Sequence, residues 1–192
     1  DKNFRGHAAM LGACITFGLL APVSKSLFGT GLVSAYALTM MRMGGGTVVF
    51  WIASLFTRRE HVPPRDLLLF FFASLLGIVL NQGTYVLGVS KTSPIDASVV
   101  TTTTPIFVMI IAALYLREPI TGKKILGVVV GAAGALLLIL SGAHLVSGRT
   151  GSGSVSGDLL CLFAQLSFAT YFVVFKKLIS RYSPVTLMKW MF

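Results

Sequence analysis

The sequence predicts an all-α membrane protein, a multi-span helix bundle in which a five-span repeat is followed by the start of an inverted second repeat. Two observations predict this class. Hydrophobic residues make up 55% of the 192 residues and charged residues only 11%, whereas soluble domains carry about 25% charged residues. In addition, apolar runs of about 20 residues, long enough to cross about 30 Å of hydrocarbon, recur with short polar gaps between them.

The apolar runs define six spans and the beginning of a seventh. The first run is too long for the apolar part of a signal peptide, and further spans follow it. The chain starts with Asp1 and stops at Phe192 inside an apolar stretch, so we expect truncation at both ends. We place the six spans at residues 7–28, 34–57, 67–89, 95–116, 121–141 and 157–179, with the seventh starting near Ser183.

Basic residues in the gaps between spans assign the two sides of the membrane. Of the 16 Lys and Arg residues, eleven fall in gaps on one side, two in gaps on the other, and three inside spans. Cytoplasmic loops carry an excess of Lys and Arg, so we expect a multi-pass protein of the cell membrane with a cytoplasmic N-terminus. No nucleic-acid partner is expected. The eleven are Lys2, Arg5, Arg58, Arg59, Arg65, Arg117, Lys123, Lys124, Lys176, Lys177 and Arg181.

A Gly- and Ser-rich stretch divides the chain into two units. Residues 147–157 read SGRTGSGSVSG, a composition typical of flexible linkers. We expect an extracytoplasmic linker at residues 142–156. It separates a first five-span unit at residues 6–141 from the incomplete start of a second unit at residues 157–192.

The second unit resembles the start of the first. A shift of 151 residues places Phe17 on Phe168 and Lys25 on Lys176. Because five is an odd number of spans, the second copy must cross the membrane in the opposite sense. Inverted repeats of this kind occur in secondary transporters, whose substrate site lies between the two halves. We therefore expect the natural protein to continue for about another hundred residues, which would complete the second set of spans of about 20 residues each.

Several segments of the first unit resemble a known family. These segments are residues 92–98 (TSPIDAS), 101–105 (TTTTP), 114–121 (LYLREPIT), 127, and 131–134 (GAAG). Together they resemble the EamA domain of the drug/metabolite transporter superfamily. The resemblance implies ten spans arranged as two inverted repeats, and the movement of metabolites, amino acids or drugs across the membrane.

Polar side chains inside the spans are candidates for a substrate path, because such groups are costly in lipid and need a reason. At about 1.5 Å per residue, those of the second, third and fourth spans fall at a similar depth, which predicts a hydrated cavity in the outer half of the membrane. The alternative is that these groups only join helices through hydrogen bonds. The substrate-path candidates are Asn81, Gln82, Tyr85, Thr101, Thr104, Gln165 and Lys25.

Four further residues are candidates for structural or gating roles. Arg42 lies within the second span, where we favour a structural anchor over direct contact with a ligand. Pro22 and Pro105 each remove a backbone hydrogen bond from a span, and so predict either hinges or fixed kinks. Glu118 ends the fourth span beside several basic residues, which suggests local salt bridges at the cytoplasmic surface.

The sequence offers no pattern typical of an enzyme. No Ser, His and Asp share one depth, and neither metal-ligand spacing nor a phosphate-binding loop occurs. We therefore expect no catalytic residues, no metal and no cofactor. The favoured function is a secondary transporter of small polar metabolites that works by alternating access, and the alternative is a non-transporting membrane scaffold or assembly subunit. The expected partners are the lipid bilayer and a small-molecule substrate, and a homodimer is left open.

Overall fold

The computed structural model describes residues 2–57, 60–117 and 154–192, together with 122, 125–131, 133, 134 and 137. Glu118, most of the predicted linker and much of the predicted span at 121–141 lie outside these residues. Throughout the described part the regular structure is helical, and no strand occurs in it. The predicted all-α class is therefore confirmed.

Five of the described helical segments are long and apolar enough to cross a membrane. They correspond to the predicted spans at 7–28, 34–57, 67–89, 95–116 and 157–179, which confirms a multi-span helical membrane protein. The elements are α1 (Lys2–Gly29), α2 (Ala35–Leu55), α3 (Pro64–Ser74), a π-helix (Leu75–Leu80), α4 (Asn81–Lys91), α5 (Pro94–Thr101), α6 (Thr104–Tyr115), α7 (Val155–Val174), α8 (Lys176–Arg181) and α9 (Pro184–Met191).

Serine side chains fix where three of these helices begin. Ser34, Ser93 and Ser183 each accept a hydrogen bond from a backbone N–H in the first turn of α2, α5 and α9. The last two are followed by proline, which suits the first helical position because it has no N–H to satisfy there. The chain therefore turns sharply between consecutive spans.

The third and fourth spans are both interrupted near the middle of the bundle. In the third, α3 and α4 are joined by the π-helix Leu75–Leu80. In the fourth, α5 ends at Thr101 and α6 starts at Thr104, next to Pro105. Pro105 has no N–H for the carbonyl of Thr101, and the Thr104 hydroxyl donates to that carbonyl instead, at 2.7 Å. Pro22, in contrast, lies inside the continuous helix α1.

Close packing of α4 on α7 brings the third span against the start of the predicted second unit. A Cβ atom on Gly88 would lie 2.8 Å from the carbonyl oxygen of Gly157, and one on Gly157 would lie 2.9 Å from the Thr92 backbone nitrogen. Only glycine allows backbones to approach this closely. Beside this contact, Val89 and Cys161 are buried in an apolar cluster that also includes residues of α1 and α5. Helices α1, α4, α5 and α7 thus surround a common space.

Candidate functional site

A cavity of about 280 Å³ lies between α1, α4, the α5–α6 span and α7. It contains six of the seven predicted path residues, contributed by three helical spans. Its remaining walls are mostly aromatic or aliphatic. The lining residues are Phe17, Gly18, Leu20, Asn81, Gln82, Tyr85, Ser98, Thr101, Thr104, Gln165 and Phe168.

Asn81 is positioned by α7 and by the helix that precedes it. Its side-chain nitrogen donates to the carbonyl of Ala164 at 2.9 Å, and the residue is buried. Asn81 is the first residue after the π-helix. Single π-helical turns often occur at functional sites, because they change which face of the helix the next residues occupy. Ser167 of α7 donates to the carbonyl of Leu76 within the π-helix at 2.7 Å, so α7 also supports this irregular turn.

Thr104 links the interrupted fourth span to α7. Its hydroxyl lies 2.7 Å from the carbonyl oxygen of Thr101 and 2.7 Å from Oε1 of Gln165. A hydroxyl has one proton to donate, so the two acceptors share it. Gln165 can therefore be released without leaving Thr104 unsatisfied. Thr101 itself donates to the carbonyl of Ala97 at 2.9 Å, the local backbone bond that the packing interpretation of these threonines predicts.

Arg42 reaches Gln82 across the interface between α2 and α4. Its Nη2 donates to Oε1 of Gln82 at 2.6 Å. A smaller cavity of about 60 Å³ lies at this contact, and its lining includes Thr39 and Phe192 as well as the two bonded residues. Gln82 lines both cavities. The structure thus shows Arg42 joining two helices at the edge of the main cavity.

Lys25 does not line the main cavity. Its Nζ donates to the carbonyls of Val89 at 3.3 Å and Ser90 at 3.1 Å. These carbonyls lie in the last turn of α4, where backbone acceptors lack helical partners and a positive charge is favourable. Lys25 therefore joins α1 to the end of α4. On the same helix, Pro22 has no N–H for the carbonyl of Gly18, and Gly18 lines the cavity.

Sequence reasoning missed the apolar walls of the cavity and a buried carboxyl group near one end of it. Phe17 and Phe168 both line the cavity, and the shift of 151 residues that pairs them was the available signal. Asp158, in the first turn of α7, is buried and accepts a hydrogen bond from the Thr92 hydroxyl. No local pattern indicates this contact, because its partners are 66 residues apart.

The opposite end of the bundle has its own polar contacts between the two predicted units. Arg181 forms a salt bridge with Asp66 at 2.9 Å, and the Tyr182 hydroxyl donates to the same carboxylate. These bonds raise the pKa of both Arg181 and Tyr182. Nearby, Glu60 accepts from the backbone N–H of Ser183, and its pKa is lowered, chiefly by a hydrogen bond from Thr186 and then by that from Ser183. The α2–α3 loop is thus bound to the residues between α8 and α9.

These features define a multi-pass membrane protein with a cavity between its helices that is lined by both apolar and polar side chains. Across the described residues, no group of three or more His, Cys, Asp or Glu side chains is placed to bind a metal ion. The model of the EamA-like transporter family matches residues 4–140. The chain therefore belongs to the EamA-like transporter family, as its sequence motifs predict.

Several proteins are similar to the chain over most of its length. A WAT1-related protein of Arabidopsis thaliana is 27% identical over 92% of the chain and 52% of its own length. An uncharacterized transporter of Archaeoglobus fulgidus is 26% identical over 93% of the chain and 60% of its own length. The Arabidopsis protein WALLS ARE THIN 1 is 39% identical over 70% of the chain and 36% of its own length.

The chain thus spans a little over half of the first two relatives. No solved structure matches it.

Proposed function

We propose that the full-length protein is a secondary transporter of small polar metabolites and that the main cavity is its substrate site. One observation carries the proposal: amide and hydroxyl side chains from three spans converge on a cavity of about 280 Å³ in an otherwise apolar bundle. Ligand sites combine apolar walls with a few converging polar groups. A volume near the lower end of the usual range of about 300–1,000 Å³ suits a small metabolite.

Alternating access requires contacts at both ends of the cavity that can break in turn. At one end, Asp158 is bonded to Thr92, and the backbone N–H of Ser154 donates to the carbonyl of Lys91 at 3.2 Å. At the other end, Asp66 is bonded to Arg181. Both sets join the first predicted unit to the second, so opening either end would separate the units there. In this proposal the Asp66 end is cytoplasmic and the protein lies in the cell membrane.

The alternative function, a membrane scaffold, is supported by the hydrogen bonds that several polar side chains donate to backbone carbonyls. Asn81 donates to Ala164, and Thr101 donates to Ala97, as residues that only join helices would do. The two functions differ in whether water reaches these side chains. A transporter must admit water to the cavity in at least one state, whereas a scaffold keeps it out.

Cysteine accessibility in the full-length protein separates the two functions. We would place Gln82→Cys and Thr101→Cys one at a time in a Cys14→Ala background, retaining the buried Cys161. The cysteines would be treated with a small hydrophilic thiosulfonate in membranes. Val79→Cys is the matched control, because Val79 lies in the same span but is 47% exposed on the bundle surface, where lipid keeps the thiol protonated and unreactive.

We expect modification at residues 82 and 101 and none at residue 79. Inertness of both cavity cysteines in inside-out and right-side-out membranes would contradict the transporter proposal.

A further inference from the structure

One guanidinium nitrogen of Arg42 is buried without a hydrogen-bond partner. Nη2 is bonded to Gln82, but Nη1 is inaccessible and finds no acceptor among the described residues. Of the buried side-chain nitrogen and oxygen atoms in that part of the chain, Nη1 is the one left unpaired. Buried polar atoms are nearly always bonded, and each exception needs an explanation.

No described Asp or Glu side chain pairs with Arg42. A charged side chain inside a membrane is costly and usually faces a partner or a pathway. The described salt bridge joins Arg181 to Asp66 rather than to Arg42. The other described Asp and Glu side chains are bonded elsewhere: Glu60 with Ser183, Asp96 with Ser93, and Asp158 with Thr92.

Space for a partner lies beside Arg42. The smaller cavity of about 60 Å³ is lined by Arg42 and Gln82. A single water needs about 10–15 Å³ of such volume, so a group as large as a carboxylate fits. Gln82 also lines the main cavity, so the two cavities are adjacent, and a molecule that spans them would place one end against the guanidinium.

The bond between Arg42 and Gln82 leaves suitable donors for an anion. The amide oxygen of Gln82 accepts from Arg42, so its NH₂ group keeps both protons for another acceptor. Arginine presents its N–H groups in a planar fork that matches the two oxygens of a carboxylate. By contrast, the lining of the main cavity includes no charged side chain among the described residues. A second charge on the ligand would therefore have no counterpart there.

From this geometry we infer that the transported metabolite is a small organic acid with a single negative charge, and that Arg42 binds its carboxylate. This inference rests on the proposed transport function of the main cavity. The carboxylate lies in the smaller cavity against Arg42 and the Gln82 amide, and the uncharged remainder lies in the main cavity. Arg42 is then a specificity-determining residue, in addition to being the anchor expected from the sequence.

Protection of an introduced cysteine tests the inference. The protein is the full-length chain carrying Thr101→Cys and Cys14→Ala, reconstituted in liposomes. The probes are benzoate and benzamide, which have nearly the same shape but differ in charge. Each is titrated against modification of residue 101 by a small hydrophilic thiosulfonate. Hydrogen bonds to a charged group contribute enough to affect binding by about tenfold or more, so we expect benzoate to protect at concentrations at least about tenfold lower than benzamide.

Two variants assign the preference to Arg42. Arg42→Gln is expected to remove the preference for benzoate while benzamide protects as before, and Arg42→Lys to retain part of it because the charge remains without the fork. Lys189→Gln is the matched control, since Lys189 lies in α9 over the ring of Trp51 at 4.3 Å. It removes one cation of the bundle but should leave the preference unchanged. Protection by benzamide at the same concentration as in the parent protein shows that each variant keeps a folded cavity.

The possible failures are distinguishable. If residue 101 is inert and Gln82→Cys is inert as well, the proposed transport function itself is contradicted. Reactivity with equal protection by benzoate and benzamide would leave that function standing but overturn the inference, as expected if an acidic side chain elsewhere in the full-length protein pairs with Arg42. Loss of the preference in Lys189→Gln as well would show that Arg42 is not its source.

Discussion

A single hydroxyl group in the cavity, that of Thr104, affects the stability of the helix bundle. Thr104 contacts both the carbonyl freed by Pro105 and the amide of Gln165. Its hydroxyl thus stabilises the break between α5 and α6 and holds one wall of the cavity. In an apolar surrounding, removal of one partner leaves the other unsatisfied, which costs about 1–3 kcal/mol.

We therefore expect Thr104→Val to lower the free energy of unfolding of the full-length protein by about 1–3 kcal/mol, because valine has the shape of threonine without its hydroxyl. Thr104→Ser keeps the hydroxyl and is the control, with a smaller loss from the missing methyl group. Thermal unfolding in detergent would measure both. An equal or larger loss in Thr104→Ser would show that the hydroxyl contributes no more to stability than the methyl group.

At the scale of the helix, the sequence predicts where the spans lie but not how their faces meet. Hydropathy places five spans because each must cover the same thickness of hydrocarbon. The uniform rise of a helix then explains why Asn81, Gln82 and Thr101 could be assigned to one depth. Rotation about the helix axis and the choice of neighbours depend on tertiary contacts. For this reason the sequence does not show that Lys25 binds the end of α4.

The irregular helical turns differ in how visible they are in the sequence. Pro105 signals the break in the fourth span, since proline cannot donate the backbone hydrogen bond there. The π-helix of the third span has the sequence LLGIVL, which suits an ordinary apolar helix equally well. Its stabilising contact comes from Ser167, 91 residues later. A local pattern cannot contain that information.

The close approach of α4 and α7 provides a prediction about packing. Gly88→Ala would place a Cβ atom 2.8 Å from the carbonyl oxygen of Gly157, a backbone atom that cannot move aside alone. We expect overpacking to reduce the free energy of unfolding by about 1–3 kcal/mol. Thermal unfolding of the full-length protein in detergent would measure this.

The control for Gly88→Ala is Gly83→Ala in the same helix. A Cβ atom there meets nothing within 4 Å, so the higher helix propensity of alanine should leave stability unchanged or raise it by up to about 1 kcal/mol. If both variants were equally stable, the contact between α4 and α7 would be looser than the structure indicates.

For the molecule as a whole, the cavity lies between two sets of contacts that join the predicted units. Phe17 from the first unit and Phe168 from the second line the same cavity, as expected if the repeat brings equivalent residues to a shared site. The contacts at the two ends differ in chemistry. One end is held by the salt bridge between Arg181 and Asp66, and the other by the bond between Thr92 and the buried Asp158. In the proposed function, the contact that faces the cytoplasm is the one that must break to open the site inward.

The orientation of the chain in the membrane can be tested directly. Most basic residues between spans fall at the end that includes Asp66 and Arg181, and cytoplasmic loops are enriched in such residues. His61 and Lys91 are exposed at opposite ends of the third span and suit single cysteine substitutions in a Cys14→Ala background. We expect a membrane-impermeant maleimide to label Lys91→Cys in intact cells, and to label His61→Cys only after permeabilisation. The reverse pattern would place the N-terminus outside the cytoplasm and assign the salt bridge between Arg181 and Asp66 to the outer end of the path.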